Sequence, residues 1–380
     1  MKLKSVTHLL SDLVSIPSVN PIGSSDPLVM GEARVAAYLK DFLRRLKLDV
    51  EFQMVEPNRP NVIATFAPRG AKRSVLLGPH TDTVAVANMT IDPFGAKIRG
   101  GKLYGRGACD TKGPMAAMLW ALNNFVTSPA AKDCRTEIIF VGLMGEEAGN
   151  DGARALMKSG FKASFGIAAE PTGMNIVHTH KGALWFKIIT HGKTAHGSMP
   201  HKGENAIYKM AHVVDVVRTL KPLKALKEEE KLLGKPTVNV GKIHGGQQIN
   251  IVPDRCEIDV DRRTLPSESH PRILADIRQA LAKRGLKAET KIVRDCRPLW
   301  TDPANPFIET LLRSSRAYAP DARLVGAPWF CDAAIFAEHG VPSVAFGPGS
   351  VAKAHTADEF IELDQLRLGA EVFLDFLRKL

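Results

Sequence analysis

The sequence predicts an α/β protein with a mainly parallel sheet, into which a smaller α+β unit is inserted. Its 380 residues exceed what one hydrophobic core usually serves. In the first half, short apolar strands alternate with helices, as they do in parallel sheets. This alternation stops near Gly182 and returns near Pro298. We therefore expect a discontinuous outer domain of residues 1–182 and 295–380, and an inserted domain of residues 183–294.

The outer part consists of segments whose hydrophobic periods distinguish helices from strands. A period near 3.6 residues predicts helices, and short runs of Val, Ile and Leu predict strands buried on both faces. Before the insertion, in chain order, these are helices "HLLSDLVSI" and "EARVAAYLKDFLRRLK", strands "NVIATF" and "SVLLGPH", helix "GPMAAMLWALNNFV" and strand "TEIIFVGLMG". After it come helix "PFIETLLRSSRAY", strand "PSVAFGPG" and helix "LDQLRLGAEVFLDFLRKL".

The inserted part has a different order of elements. Its segments are strand "GALWFKIITHG", helix "ENAIYKMAHVVDVVRTL", strands "PTVNVGKIHGG" and "DRCEIDVDRRTLP", helix "HPRILADIRQALAKRG" and strand "KAETKIVRD". This βαββαβ order is typical of a compact α+β unit with one antiparallel sheet.

Composition excludes several classes of protein. The net charge is +11, but the Lys and Arg residues are spread along the chain and aromatic residues make up only 6%, so we expect no nucleic-acid partner. No apolar segment reaches the length of a membrane span, and the N-terminus lacks the features of a signal peptide. The five scattered cysteines fit reduced thiols, and a cytoplasmic location is expected.

Two adjacent glutamates at the end of a buried strand are the first chemical signal. Glu146 and Glu147 follow the apolar strand that begins at Thr136. In an open α/β sheet, ligands bind beyond the carboxyl ends of the strands. Neighbouring carboxylates repel each other unless a cation or a shared proton relieves them. The alternative is that both side chains lie in water.

Four further places carry possible metal ligands. His80 and Asp82 follow one strand, Asp110 lies in a glycine-rich loop before a helix, Glu170 ends another strand, and His355 lies in a loop of the last section. Each alone has an ordinary explanation, as a surface histidine, a turn former or a solvated glutamate. These separate explanations do not account for the fact that all the possible ligands occur in loops after strands. The glycine-rich loop has the spacing of neither a P-loop nor a dinucleotide fingerprint.

Seven segments, in order, resemble the M20 metallopeptidases over essentially the whole chain. That group contains acetylornithine deacetylase, succinyl-diaminopimelate desuccinylase, aminoacylase-1 and carboxypeptidase G2. The segments are "GPHTDTV", "LYGRGACDTKGPMAA", "GEEAGNDGA", "AEPT", "GKTAHGSMPHKGENAI", "NIVPDRCEIDVDRR" and "FGPGSVAKAHTADEFI". The resemblance implies a zinc-peptidase-like catalytic domain with an inserted dimerisation or lid domain.

The resemblance also implies two zinc ions bridged by Asp110, for which cobalt or manganese could substitute. His80 and Glu170 would complete one site, and Glu147 and His355 the other. Mixed imidazole and carboxylate ligands suit zinc, and a two-metal site needs a bridging carboxylate and open positions for water.

Two acidic residues are expected to assist the ligands. Asp82 lies two residues beyond His80 on an extended segment, so it should accept a hydrogen bond from the second ring nitrogen of His80. Glu146 matches the general base of the family, which takes a proton from the attacking water and passes it to the departing amine.

Further residues are expected to contact the substrate. Arg263 matches the arginine that binds the substrate carboxylate in the family, and Asn250 matches a neighbouring contact. Gly347 and Gly349 would let the backbone approach a ligand closely. The alternative for Arg263 is a surface salt bridge on a strand.

His196 suggests that two subunits share each active site. In relatives, the matching histidine reaches the partner subunit's site and stabilises the oxyanion. We therefore expect a homodimer through the inserted domain.

The predicted function is a dinuclear zinc amidohydrolase that removes the acyl group from an N-acyl amino acid, of the acetylornithine deacetylase or desuccinylase type. A carboxypeptidase or dipeptidase acting on short peptides is the alternative. A non-catalytic metal-dependent binding protein is a more distant one, and turnover of N-acetyl amino acids would exclude it.

Overall fold

The computed structural model describes residues 5–219, 226–227 and 230–380. The chain divides into two compact units. The first comprises Met1–His178, Thr301–Val325 and Cys331–Leu380, and the second comprises Thr179–Trp300 and Gly326–Phe330. No feature of the sequence predicted that the short segment Gly326–Phe330 belongs to the second unit.

The first section of the chain contains five helices and eight strands among the described residues. They are α1 (Val6–Val14), α2 (Ala33–Arg45), β1 (Asp49–Glu56), β2 (Arg59–Phe66), β3 (Arg73–Gly78), β4 (Lys97–Arg99), β5 (Lys102–Tyr104), α3 (Lys112–Val126), α4 (Ala130–Asp133), β6 (Thr136–Gly142), α5 (Asp151–Lys158), β7 (Phe165–Ala169) and β8 (Ile176–His180).

The middle section has the βαββαβ order, followed by one short strand. Its elements are β9 (Gly182–His191), α6 (Ala206–Arg218), β10 (Thr237–Gly245), β11 (Arg255–Thr264), α7 (His270–Lys283), β12 (Glu289–Cys296) and β13 (Leu299–Trp300). The helix predicted here ends at Leu220, which lies outside the described residues.

Apart from Gly326–Phe330, the last section returns to the first unit. Its elements are α8 (Pro306–Tyr318), β14 (Leu324–Ala327), α9 (Asp332–Glu338), β15 (Ser343–Phe346), β16 (Phe360–Glu362) and α10 (Leu363–Arg378).

The sheet of the first unit is parallel at its centre. Its order is β1-β2-β6-β3-β7-β15-β8. The pairs β6 with β3, β3 with β7, and β7 with β15 are parallel. Antiparallel pairs flank them, β1 with β2 and β2 with β6 on one side, and β15 with β8 on the other. The predicted α/β fold with a mainly parallel central sheet is confirmed.

Apolar residues on both faces of the central strands account for their burial. All five residues of β7 and all four of β15 are buried. Helices α3 and α10 pack against each other in the same core. Helix α3 is apolar nearly all round, as is typical of an internal helix.

The second unit has a four-stranded antiparallel sheet in the order β10-β11-β9-β12. Leu184, Phe186 and Ile188 of β9 share one core with α6 and α7. Side chains alternate along a strand, so Trp185 and Lys187 of β9 lie on the opposite face.

Within the described ranges, no helix is long and apolar enough to cross a membrane.

Candidate metal centre

Parallel pairing brings the predicted ligands to one edge of the sheet. Strand β3 lies between β6 and β7 and is parallel to both, so the carboxyl ends of the three strands meet at the same edge. His80 follows β3, Glu146 and Glu147 follow β6, and Glu170 follows β7.

Asp110 has one carboxylate oxygen near each of two imidazoles. Its Oδ1 lies 3.1 Å from His80 Nε2, and its Oδ2 lies 3.3 Å from His355 Nε2. The same nitrogen of His355 lies 3.0 Å from Glu147 Oε1. One possible ligand atom from each of His80, Asp110 and Glu147 lies within 4.8 Å of the others, which is close enough to hold an ion.

Glu170 is also part of this acidic cluster. Its side chain is buried, with 7% of the residue exposed. Burial raises the pKa of Glu170 well above its usual range, and the nearby charges of Asp110 and Glu146 raise it further. The carboxyl group of Glu170 therefore lies among other carboxyl groups, and the nearby positive charge of His80 does not compensate for them.

Asp82 orders the segment that carries the two glutamates. Its Oδ1 accepts a hydrogen bond from the backbone N–H of Glu146 at 3.0 Å, and its Oδ2 accepts one from that of Glu147 at 3.1 Å. The second ring nitrogen of His80, Nδ1, lies 3.0 Å from the backbone oxygen of Asp82 and 3.4 Å from its Oδ1. Asp82 thus positions both His80 and the turn after β6, and the sequence indicated only the first of these contacts.

Glu146 is held by a neighbour that the sequence analysis did not single out. The side-chain amide of Asn150 donates to Glu146 Oε1 at 3.2 Å and to Asp332 Oδ1 at 3.0 Å. Burial raises the pKa of Glu146 well above its usual range, and Asp332 and Glu147 raise it further. Burial also raises the pKa of Asp332 to about 6.

Glu359 orders the loop that carries Asp110 and was also missed. Its Oε1 accepts hydrogen bonds from the backbone N–H groups of Cys109 at 2.9 Å and Asp110 at 3.0 Å. Its Oε2 lies 2.6 Å from the Arg106 guanidinium, and both side chains are buried. The sequence feature that could have pointed to Glu359 is its position directly before the short strand that begins at Phe360.

The two imidazoles share their protons with these carboxylates. Burial lowers the pKa of His80, but hydrogen bonds to Asp110 and Asp82 outweigh it and raise that pKa well above its usual value. Hydrogen bonds to Asp110 and Glu147 raise the pKa of His355 to about 10. The cluster thus compensates for its negative charge with bound protons.

The two glycines expected near a ligand pack closely against other residues of the protein. A Cβ on Gly347 would lie 2.8 Å from the backbone oxygen of Glu170, and one on Gly349 would lie 2.9 Å from Cys109 Sγ. Gly349 also has a φ of +100°, which side-chain-bearing residues rarely adopt. Both glycines therefore allow β15 to lead into the metal centre without displacing Glu170 or Cys109.

Three predicted residues lie in the second unit. His196 is exposed, and its Nδ1 lies 2.7 Å from the hydroxyl of Ser198. Asn250 is also exposed, and its backbone oxygen accepts a hydrogen bond from Gly197 at 2.7 Å, so His196 and Asn250 lie on neighbouring loops. Arg263 pairs with Asp261, with Nε and Oδ1 3.0 Å apart.

Comparison with known proteins identifies the family. The profile of peptidase family M20/M25/M40 matches residues 76–379. The chain is 30% identical over 316 residues to an acetylornithine deacetylase of Myxococcus xanthus, covering 80% of each. It is 29% identical over 405 residues to a probable succinyl-diaminopimelate desuccinylase of Staphylococcus epidermidis, covering 98% of this chain and 96% of the relative.

The fold is shared with a crystal structure at similar coverage. An M20 family metallo-carboxypeptidase from Sulfolobus solfataricus superposes with a TM-score of 0.80 at 20% identity, covering 99% of both chains. The family match spans most of this chain, including every residue of the acidic cluster described above. The chain therefore belongs to peptidase family M20/M25/M40 and is a hydrolase of that family.

Proposed function

We propose that the protein is a dinuclear metal-dependent amidohydrolase that removes the acyl group from an N-acyl amino acid. The arrangement of Asp110 carries this proposal, because its two oxygens face two different imidazoles. A carboxylate that bridges two ions needs one oxygen for each of them.

The residues present fit a pair of cations. Asp110, Glu147 and Glu170 crowd together with only two imidazoles, and burial raises the pKa of both glutamates. Bound cations would neutralise this cluster in place of the protons that it now holds. We assign one ion to His80 and Glu170 and the other to Glu147 and His355, with Asp110 between them.

Zinc is the metal we propose, because tetrahedral sites of imidazole and carboxylate ligands suit it. Cobalt or manganese could replace it, since ligands of this type bind several divalent metals. When bound, the ions would polarise the scissile carbonyl and make a water molecule acidic enough to attack near neutral pH.

Glu146 would move the proton. Its Oε1 already accepts a hydrogen bond from Asn150, so we assign the proton of the attacking water to Oε2. The same carboxylic acid then donates it to the nitrogen of the departing amino acid. Burial raises the pKa of Glu146, which strengthens its hold on an accepted proton, and bound cations nearby would lower that pKa and keep the carboxylate ionised before it accepts one.

Substrate recognition is assigned to residues of both units. Arg263 and Asn250 would bind the substrate carboxylate, and the backbone at Gly347 and Gly349 would border the substrate. Because Arg263 is paired with Asp261 here, a substrate would have to share or displace that ion pair. His196 would stabilise the oxyanion in a second copy of the chain, which makes a homodimer part of the proposal.

The names of the curated relatives favour deacylation. Both are named for removal of an acetyl or succinyl group from an amino acid. The structural relative is named as a carboxypeptidase, and release of a C-terminal residue would use the same metal ligands and general base. The two reactions differ in substrate rather than in the catalytic residues.

One substrate screen tests the proposal. The purified protein is assayed with N-acetyl-L-ornithine, N-succinyl-L,L-diaminopimelate, other N-acyl amino acids and dipeptides, each with added zinc or cobalt. We expect turnover of N-acyl amino acids that chelator abolishes and added metal restores. Turnover of dipeptides alone would favour the peptidase, and metal-independent turnover would contradict both.

A further inference from the structure

The loop that joins β6 to α5 carries two glutamates of the candidate centre and needs support from the rest of the chain. It runs from Met144 to Gly152 and contains three glycines, which lose more conformational freedom on folding than other residues. Gly145 and Asn150 adopt positive φ angles of 71° and 59°. The loop must also hold two adjacent carboxyl groups, which repel each other when ionised. It keeps a single shape only if neighbouring elements hold it.

One side chain, that of Asn61, contacts both ends of this loop. Its Oδ1 accepts a hydrogen bond from the backbone N–H of Met144 at 3.0 Å, and its Nδ2 donates one to the backbone oxygen of Gly152 at 2.8 Å. The two ends also bond to each other, because the N–H of Gly152 donates to the oxygen of Met144 at 2.9 Å. We call Asn61, Met144 and Gly152 the loop clamp, since together they close the base of the loop.

Asn61 is buried and fully hydrogen-bonded. Its amide also donates to Gln53 Oε1 on β1 at 2.8 Å. Asparagine is uncommon in strands, and β2 places this one where β6 ends, because the next residue, Val62, lies opposite Gly142, the last residue of β6. A buried polar side chain whose hydrogen bonds are satisfied makes its surroundings rigid.

The absence of a side chain at position 152 gives the loop clamp its space. A Cβ on Gly152 would lie 2.4 Å from the backbone oxygen of Met144 and 2.5 Å from Asn61 Oδ1. Both distances are far below van der Waals contact, so a side chain here would push the two ends of the loop apart.

A second residue of β2 lies against the same loop. Arg59 and Asn61 are two residues apart on the strand, so they project to the same face. A Cβ on Gly145 would lie 3.4 Å from Arg59 Nη2, which places the guanidinium against the start of the loop. Arg59 is itself fixed by buried Glu32, whose two oxygens lie 2.7 Å from Nε and 2.6 Å from Nη2. Strand β2 thus supports the base of the loop, while Asp82 holds its tip.

We propose that Asn61 is a positioning residue: by closing the loop clamp it fixes Glu146 relative to Glu147, so that one carboxylate binds an ion while its neighbour takes the proton. Asn61 acts through the backbone of the loop. The inference rests on the proposed function, because it takes Glu146 as the base. Displacing a catalytic group by about 1 Å can lower a rate about a hundredfold, so the loop must be held closely.

The first measurement uses metal-free protein and needs no turnover. Hydrogen exchange of backbone N–H groups is followed in peptides that cover the loop and, for comparison, strand β7. We expect Asn61→Ala to speed exchange in the loop about tenfold or more while β7 stays within about twofold, because only the loop opens. Gly152→Ala should have the same effect, since it opens the loop clamp from the other end.

Thr65→Val is the matched control. Thr65 lies on β2, four residues beyond Asn61, on the same face and half-buried. It should leave exchange in the loop unchanged. Asn61→Asp keeps the oxygen that accepts from Met144 but loses the donor to Gly152, so it should fall between wild type and Asn61→Ala.

The second measurement is a double-mutant cycle on turnover, with metal in excess and metal content checked for each variant. In the wild-type background, Asn61→Ala should lower kcat about tenfold or more and change KM less than about threefold. In the Glu146→Gln background it should lower the residual kcat less than about twofold, because the base that it places is already gone. A residue that only stabilises the fold would lower kcat by the same factor in both backgrounds.

Two results would overturn the inference: exchange in the loop is no faster in Asn61→Ala than in Thr65→Val, or the two factors of the cycle are equal. If Asn61→Ala does not fold, Asn61→Asp and Gly152→Ala take its place in both measurements. Hydrolysis of dipeptides alone, with unequal factors, would contradict the proposed deacylase and support this inference. Hydrolysis of N-acyl amino acids with equal factors would contradict this inference alone, and no hydrolysis at all would contradict both.

Discussion

The carboxylates around His355 and His80 favour protonated imidazoles, whereas a histidine that binds a metal must be neutral. Carboxylates of Asp110 and Glu147 raise the pKa of His355 to about 10, and those of Asp110 and Asp82 raise the pKa of His80. The neighbouring carboxylates therefore favour the protonated form of both imidazoles, and with a pKa of about 10 His355 carries its proton at pH 7 in the metal-free protein. A metal ion can bind them only after these protons have left.

Metal uptake should therefore release protons. We expect protons to be released when metal fills the centre, including the proton of His355 at pH 7, and an apparent metal affinity that rises with pH until it passes the pKa of His355 near 10. Titration of the chelator-treated protein with zinc in weak buffer, followed with a pH indicator, measures the release. Variant His339→Asn, outside the centre, is the control, and uptake without proton release would show that the imidazoles were already neutral.

Glu146→Gln isolates the proton transfer. Glutamine keeps the shape of the side chain but cannot accept the proton of the attacking water. We expect turnover to fall about a hundredfold or more while metal content is retained. Metal analysis and single-substrate kinetics check both parts.

Glu137→Gln is the matched control for that variant, since Glu137 lies on β6, the strand that leads to Glu146, but at its opposite end. Unchanged turnover in Glu146→Gln would show that another group takes the proton.

At the scale of single residues, the sequence predicted the side chains that follow apolar strands. His80, Glu147 and Glu170 could be found because a buried strand marks where its polar successor must lie. The contacts of Glu359 with the Asp110 loop and of Asn150 with Asp332 could not be predicted, because these partners are far away in the sequence. Only the folded chain shows which charges they meet.

At the scale of elements, strand β16 fixes the position of Glu359. β16 pairs with β5 so that Phe360 lies opposite Tyr104, just before the loop with Arg106 and Asp110. Glu359 directly precedes β16, so its carboxylate lies against that loop and holds two of its N–H groups. The small three-stranded sheet of β16, β5 and β4 thereby positions Asp110, the residue that we propose lies between the two ions.

Glu359→Gln should weaken metal binding without unfolding the sheet. The neutral glutamine loses the ion pair to Arg106 and holds the Asp110 loop less firmly. Loss of a contact that supports a metal ligand commonly lowers metal affinity about ten- to hundredfold. Competition with a chromophoric chelator measures the affinity.

The control is Glu362→Gln, three residues further along on β16, because Glu362 is half exposed and its ion-pair partner among the described residues is Lys102, at 3.3 Å. Surface pairs of this kind contribute little. Equal metal affinity in the two variants would exclude the role given to Glu359.

The order of the helices and strands along the chain was largely predictable. Which strands lie side by side in the sheet was not. Long amphipathic helices and continuous apolar strands were recognisable from their periods. Strand β8, "IVHTH", was missed, since two histidines interrupt its apolar run although all five residues are buried. Nothing local to the strands indicated that β15 would lie between β7 and β8, because that pairing is decided by the packing of the complete unit.

At the scale of the whole molecule, β10 is an edge strand with apolar exposure. Ile243 on β10 is 56% exposed, and Tyr208 on the neighbouring α6 is 72% exposed. Edge strands are usually paired, covered or blunted, and pairing across a two-fold axis protects both copies at once. The proposed homodimer would use this surface, and His196 lies exposed in the same unit.

A mixing experiment tests whether the two subunits share each active site. Glu146→Gln and His196→Ala should each be inactive while retaining metal. If His196 acts in the partner subunit, mixed dimers contain one site with both defects and one with neither. Activity should then partly return after the two variants exchange subunits.

Exchange must be shown directly, for example with differently tagged subunits. A mixture that exchanges and stays inactive would mean that His196 acts within its own chain or only in packing. A monomer in sedimentation at assay concentration would contradict the homodimer itself.

The place of β15 between β7 and β8 has a consequence for how the chain is made. β7 leaves the ribosome long before β15, and between them lies the whole second unit. At roughly 5 to 20 residues per second, the roughly 170 residues from Ala169 to Ser343 take on the order of 10 to 35 seconds to synthesise. Throughout that time one edge of β7 has unpaired backbone N–H and C=O groups, to which other strands can bind. All five residues of β7 are buried in the complete protein, so the exposed strand is also apolar. A nascent chain of this protein is therefore most prone to aggregate while its second unit is being translated.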